Sequence, residues 1–131
     1  MFTEKQILDA QSKVKSGADF PELILTFKKL GIERYEHFVE DGSNVYHGKN
    51  NYSVRVEHNQ NHILVSEFSS TEALKKALTI HQQGNSDYPT FCKDAGEAGV
   101  DKWVTDLISM TVTYIDKKGK ILLVENIPVK K

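Results

Sequence analysis

The chain has 131 residues, 39% hydrophobic and 27% charged, a composition that suits one globular domain with a modest core. With 17 Lys and Arg against 18 Asp and Glu, the net charge of -1 gives no electrostatic reason to bind nucleic acid or an anionic membrane. No apolar run approaches the ~18 residues of a membrane span, Met1 to Gln6 lacks the regions of a signal peptide, and the single cysteine, Cys92, excludes an internal disulfide, so the expected location is the cytoplasm.

Thr3 followed by Gln6 is a capping-box pattern, and Ile7, Ala10, Gln11 and Val14 recur at helical spacing, which predicts an amphipathic helix over 3–16 stopped near Gly17. Asp19 can cap a second helix, with Pro21 in its first turn where no backbone donor is missed. Phe20, Leu23, Ile24, Phe27 and Leu30 share one face of it, and Gly31-Ile32 has the form of a Schellman stop.

From Glu33 to Phe68 the apolar period falls toward two. Tyr35, His37 and Val39, then Val45, then Tyr52, Val54 and Val56, then Ile63 and Val65 predict three or four short antiparallel strands. Asp41-Gly42, Gly48 to Asn51 and Asn59-Gln60-Asn61 supply the turns. Ser70 and Thr71 open a third helix that carries Leu74, Ala77, Leu78 and His81 and halts near Gly84. A fourth helix is predicted from about Asp87 to Ala98, ended by Gly99-Val100. Trp103 to Ile127 is β-rich, with a bend near Ser109 and a turn over Asp116 to Gly119. The fold class is therefore α+β, with four helices packed on antiparallel strands.

The second half echoes the first. Asp19-Phe20-Pro21 is answered by Asp87-Tyr88-Pro89, and Gly31 to Tyr35 by Gly99 to Trp103, both at an offset of 68 residues. The same offset pairs Tyr46 with Tyr114 and Val56-Glu57 with Val124-Glu125, while the first helices align with one residue inserted, Gly17 with Gly84 and Ile7 with Leu74. The matches concentrate at caps and stops, where backbone geometry limits residue choice, so convergence stands beside duplication as an explanation. Under duplication, one domain over 1–131 consists of two helix-helix-β-strand units, about 3–68 and 70–127, packed about a pseudo-twofold axis with any pocket between them.

The string from His81 through Gly84-Asn85-Ser86-Asp87-Tyr88-Pro89 to Cys92, with Ala98-Gly99-Val100, Trp103 and Met110-Thr111-Val112-Thr113-Tyr114, resembles the YdfO-like family of small bacterial proteins, as does Ser16 to Pro21. The likeness runs over nearly the whole chain. It implies a bacterial cytoplasmic protein of unknown function, of a kind found also in prophage regions and sometimes labelled phage envelope protein. That family often carries a second cysteine where this chain has Val112, so no two-thiol scheme is implied. No catalytic residue comes with the resemblance.

Cys92 and His81 are the residues to propose as nucleophile and base, since an imidazole can activate a nearby thiol. Against this, Cys92 falls on the position of Ile24 and His81 on that of Val14, both apolar, so a small buried thiol and a packed histidine are the structural alternatives. Asp87 is explained as a helix cap and Tyr88 as the counterpart of Phe20, with a hydroxyl that needs a partner if buried. His58 and His62 flank a short loop at metal-ligand spacing, but nothing completes a site and no metal or cofactor is expected. Lys28-Lys29, Lys75-Lys76, Lys117-Lys118 and Lys130-Lys131 are dispersed pairs without an aromatic-plus-basic platform.

No phosphate loop, nucleophile elbow or His-Glu-x-x-His run occurs. The two halves differ most in polarity around the third-to-fourth helix connection, which makes His81, Gln82, Asp87, Tyr88 and Cys92 the candidate binding residues. The sequence supports a non-enzymatic interaction or small-ligand-binding protein, with an unidentified protein or small molecule as partner. A cysteine-dependent enzyme using Cys92 with His81 is the alternative.

Overall fold

A computed structural model describes residues 1–14, 19–57 and 62–127. The predicted stop at Gly17, the loop Asn59-Gln60-Asn61, His58 and the pair Lys130-Lys131 lie outside the described residues.

Helix α1 spans Glu4–Gln11, and Thr3 and Gln6 form the predicted capping box. The helix ends at Gln11 rather than running to 16. Ser12 Oγ donates to the Asp9 carbonyl at 2.7 Å, and the amides of Lys13 and Val14 bond the carbonyls three residues back, tightening the last turn until it stops. Helix α2, Phe20–Leu30, closes on Gly31 at φ 96°, where the Ile32 amide donates to Phe27 O and that of Gly31 to Lys28 O, both at 3.1 Å, in the expected Schellman pattern. Asp19 stands at the N-cap but makes no side-chain cap bond there.

Strands β1 (Arg34–Phe38), β2 (Asn44–His47) and β3 (Ser53–Val56) form an antiparallel meander. Helices α3 (Thr71–Gln82) and α4 (Tyr88–Glu97) follow, then strands β4 (Val100–Asp106), β5 (Thr111–Asp116) and β6 (Ile121–Asn126). Two expectations are corrected. Ile63–Val65 is not a strand; the segment crosses the end of α4, with its amides donating from Ile63 to Glu40 O, Ser66 to Gly96 O and Ser70 to Ala98 O. The supposed bend near Ser109 is a turn between two strands, in which Asp106 Oδ1 accepts the amides of Ile108 and Ser109 at 2.9 and 3.0 Å.

The six strands lie in one antiparallel sheet in the order β3-β2-β1-β4-β5-β6, joined at its centre by β1 and β4. Tyr35, His37, Tyr46, Val56, Trp103, Thr105, Val112 and Tyr114 are buried on the face that the helices cover. From the helices Ile7, Ala10, Ile24, Phe27, Leu74, Ala77, Leu78, Phe91, Cys92 and Ala95 enter the same core. The opposite face carries partly exposed side chains, among them Glu36, Val45, His47, Lys102 and Val104. At its middle, Glu36 bonds His47 Nε2 at 3.0 Å and Lys102 Nζ at 3.1 Å.

The registers obey the 68-residue offset. In the central pair, Arg34 stands opposite Asp106 and Phe38 opposite Lys102, so exchanging each residue with the one 68 positions away maps β1–β4 onto itself through Glu36 and Val104. Tyr35 opposite Tyr46 becomes Trp103 opposite Tyr114, and His37 opposite Asn44 becomes Thr105 opposite Val112. The N-caps Thr3 and Ser70 fall at an offset of 67. In β6 a bulge leaves Leu122 as an extra residue, so Glu125, not Val124, takes the place of Val56. No helix among the described residues is long and apolar enough to cross a membrane.

Candidate functional site

Asp87 starts α4 by accepting the Thr90 amide at 2.8 Å, and the helix then turns Phe91, Cys92, Ala95 and Gly96 into the core. Tyr88 precedes Cys92 by one turn and lies on the same side of the helix. The Tyr88 residue is 48% exposed, yet its hydroxyl lies in buried surroundings close enough to the Cys92 thiol to act on its protonation. Cys92 itself is only 4% exposed.

The imidazole beside this thiol is His37 of β1, with Nε2 at 4.0 Å from Sγ. His37 is 3% exposed, and its Nδ1 lies 2.9 Å from Oδ1 of Asn44, its cross-strand neighbour on β2. With Asn44 Oδ1 accepting, the imidazole proton sits on Nδ1, and the Nε2 lone pair faces the thiol. Trp103 of β4 stacks on the His37 ring at 4.3 Å and 20°, and the Tyr88 ring meets it edge-on at 6.0 Å. Strand register and ring packing thus hold thiol, imidazole and amide in a row. Burial pushes the Cys92 thiol up to about 11, a rise that the Tyr88 hydroxyl only partly offsets. The Tyr88 phenol is also held well above its ordinary value by burial.

The other candidate residues take different places. His81 stacks on Phe91 at 4.8 Å, lies 6.4 Å from the Tyr88 ring and has Nδ1 at 3.4 Å from Ser86 Oγ. The imidazole given as neighbour to Cys92 is therefore His37 in place of His81. Gln82 turns toward Glu125 of β6, which it meets at 3.4 Å, and Asp87 is occupied with the cap. His62 is exposed, and among the described residues no group of three or more His, Cys, Asp or Glu could hold a metal. A recess of about 160 Å³ lined by Phe38, Glu40, Asp41, Arg55 and Asp101 draws on both halves but includes none of the candidates.

Sequence reasoning missed His37, Asn44 and Trp103 as site residues. The one legible signal was the histidine at an inward position between Tyr35 and Val39; nothing local marked Asn44. At the positions 68 residues away, Tyr88, Cys92, His37 and Asn44 are answered by Phe20, Ile24, Thr105 and Val112. Every member of the row has a less polar counterpart.

Fold and site together define an α+β protein whose helices cover one face of a six-stranded antiparallel sheet and bury a thiol and an imidazole beneath them, with a half-buried amide alongside. The chain belongs to the family described as Protein of unknown function (DUF1398), whose model matches residues 8–126. None of the curated proteins matches it.

Proposed function

We propose that this chain is a non-enzymatic, small-ligand-binding protein of the bacterial cytoplasm, of the YdfO-like and prophage-associated kind, and that it works through the polar row beneath α4. The observation that carries this reading is the concerted difference between two sets of positions related by the 68-residue offset. Phe, Ile, Thr and Val suffice at the four equivalent positions, so packing alone does not call for Tyr88, Cys92, His37 and Asn44. Buried polar groups carry a desolvation cost, which favours a use for them. Tyr88 is the outermost of the four and the natural point of entry, with His81 beside it.

The same reading takes 1–131 as one domain of two duplicated halves, about 3–68 and 70–127. The register symmetry through Glu36 and Val104 supports duplication more strongly than caps and stops do, because cross-strand register is not restricted by local turn chemistry. The near-neutral composition favours a small molecule over nucleic acid.

Trp103 is the chain's single tryptophan and stacks on His37, so its emission reports on the site. A small-molecule library is screened by thermal shift, and hits are titrated against Trp103 fluorescence in wild type and Cys92→Val. Hits that move the emission in wild type and weaken in the variant support the site. Hits that raise Tm but leave the emission unchanged place binding elsewhere and sink the proposal.

A further inference from the structure

We propose that Cys92 is a gated acyl acceptor, with His37 as its base, Asn44 as the residue that positions His37, and Tyr88 as the gate. This rests on the site of the preceding section and adds a covalent step to it.

The geometry supplies each part. Sγ lies 4.0 Å from Nε2, and Nδ1 is tied to Asn44 Oδ1 at 2.9 Å, the nucleophile-base-orienter order suited to acyl transfer. Two side chains set the imidazole plane, Trp103 by stacking and Asn44 by its hydrogen bond. The titratable groups facing the thiol are His37 from β1 and Tyr88 from its own helix, with the phenols of Tyr35 and Tyr46 on the same sheet face acting on Tyr88. At the four positions 68 residues away, split between the two halves as the row itself is, all four are replaced together by less polar residues, as suits a set that acts as a unit.

The substrate class is an activated acyl compound, a thioester or aryl ester R–CO–X. Tyr88 swings away and releases the thiol. Sγ attacks the carbonyl carbon as its proton passes to His37 Nε2, the S–C bond forms and the C–X bond breaks. His37 then returns the proton to X, leaving R–CO–S–Cys92 and HX. No oxidant or further reactant is needed. With Tyr88 seated, the raised affinity of the thiol for its proton keeps the resting site inert.

The test uses 4-nitrophenyl acetate on the full chain, following nitrophenolate release and, by intact mass, acetyl groups per chain between pH 6 and pH 9 (about the range of imidazole and thiol titration). The expected result is one acetyl on Cys92, faster in Tyr88→Ala than in wild type. In the Tyr88→Ala background, His37→Gln should slow acetylation by about 10²-fold at neutral pH, the usual contribution of a general base. Asn44→Ala should slow it less and shift the pH profile. His37→Thr, the residue at the equivalent position, serves if His37→Gln folds poorly. The inference is overturned if the opened thiol reacts no faster than the denatured chain and neither His37 substitution changes rate or pH profile. A ligand response at Trp103 that survives this result would leave the binding proposal standing and remove only the acyl step.

Discussion

His37 and Trp103 stand directly opposite one another on β1 and β4 and stack at 4.3 Å, while the neighbouring pair, Tyr35 and Thr105, occupies the positions that the 68-residue offset makes equivalent. One pair brings an imidazole to a thiol. The other leaves Thr105 Oγ1 fully buried near the Tyr35 hydroxyl without a well-formed hydrogen bond.

Thr105→Val replaces that hydroxyl by a methyl group of similar shape. An unsatisfied buried hydroxyl costs about 1–3 kcal/mol, so the substitution should stabilise the chain, by about 1 kcal/mol after imperfect packing is allowed for. Urea denaturation decides it. A loss of stability would mean that the Tyr35–Thr105 contact is a working hydrogen bond.

Gly96 and Gly99 let the segment over 62–69 lie against the end of α4. A Cβ on Gly96 would come within 2.7 Å of Ile63 Cγ2 and 3.2 Å of Leu64 O. Gly96→Ala should cost about 1–3 kcal/mol by overpacking. Gly99→Ala should cost more, because its φ of +90° strains any side chain and the new Cβ would lie 2.6 Å from Ser69 Cα, on backbone that cannot swing aside. Equal denaturation midpoints for wild type and Gly99→Ala would show that this segment does not pack as described.

Glu36 sets an acid limit. Burial alone would push its carboxyl up, but hydrogen bonds from Lys102 and His47, together with their charges, outweigh burial and hold it below the ordinary carboxylate range. A folded value below the unfolded one contributes stability above about pH 4.3, lost as pH falls through the folded value. Lys102→Met should cost about 1 kcal/mol or less at neutral pH, since the pair is partly exposed. Its penalty should shrink as pH drops below about 4. Denaturation midpoints measured across pH test both the size and the direction.

Cys92 sets an alkaline limit of the opposite sign. Its thiol rises from 9.0 to about 11 on burial, so its neutral form is favoured in the fold, and the resulting stability is full below the unfolded value and lost as pH climbs toward the folded one. Wild type should lose stability between about pH 9 and 11, and Cys92→Val should show a flatter profile over that window. Identical slopes would mean that the thiol is accessible to water in the native state. Alkylation with iodoacetamide at pH about 8 should agree, with little modification until the chain unfolds.

Features governed by neighbouring residues were legible in advance. The Thr3-Gln6 box, the Gly31-Ile32 stop, the Asp87 cap and the inward phase of α2 each depend on residues within one or two turns. Errors came where local signals compete with the fold. Val14 continues a helical stripe, but the turn at Ser12 closes α1 before it. Ile63 and Val65 alternate like a strand, but no strand edge receives them, and the surface they cover is the glycine-bearing end of α4. The extra residue at Leu122 moved the alignment of β6 by one, which periodicity alone does not reveal.

The sequence by itself determined the α+β class, the four helices and most of their caps, and the positions at which the halves differ in polarity. Only the tertiary structure decided which imidazole meets Cys92. His81 is nearer along the chain, but it turns to Phe91 and Ser86, whereas His37, 55 residues away, is carried to the thiol by the pairing of β1 with β4 and the seating of α4 above them. Caps and turns follow from the sterics and hydrogen bonding of adjacent residues. Contacts between distant residues depend on sheet register and helix packing, which the whole chain sets together.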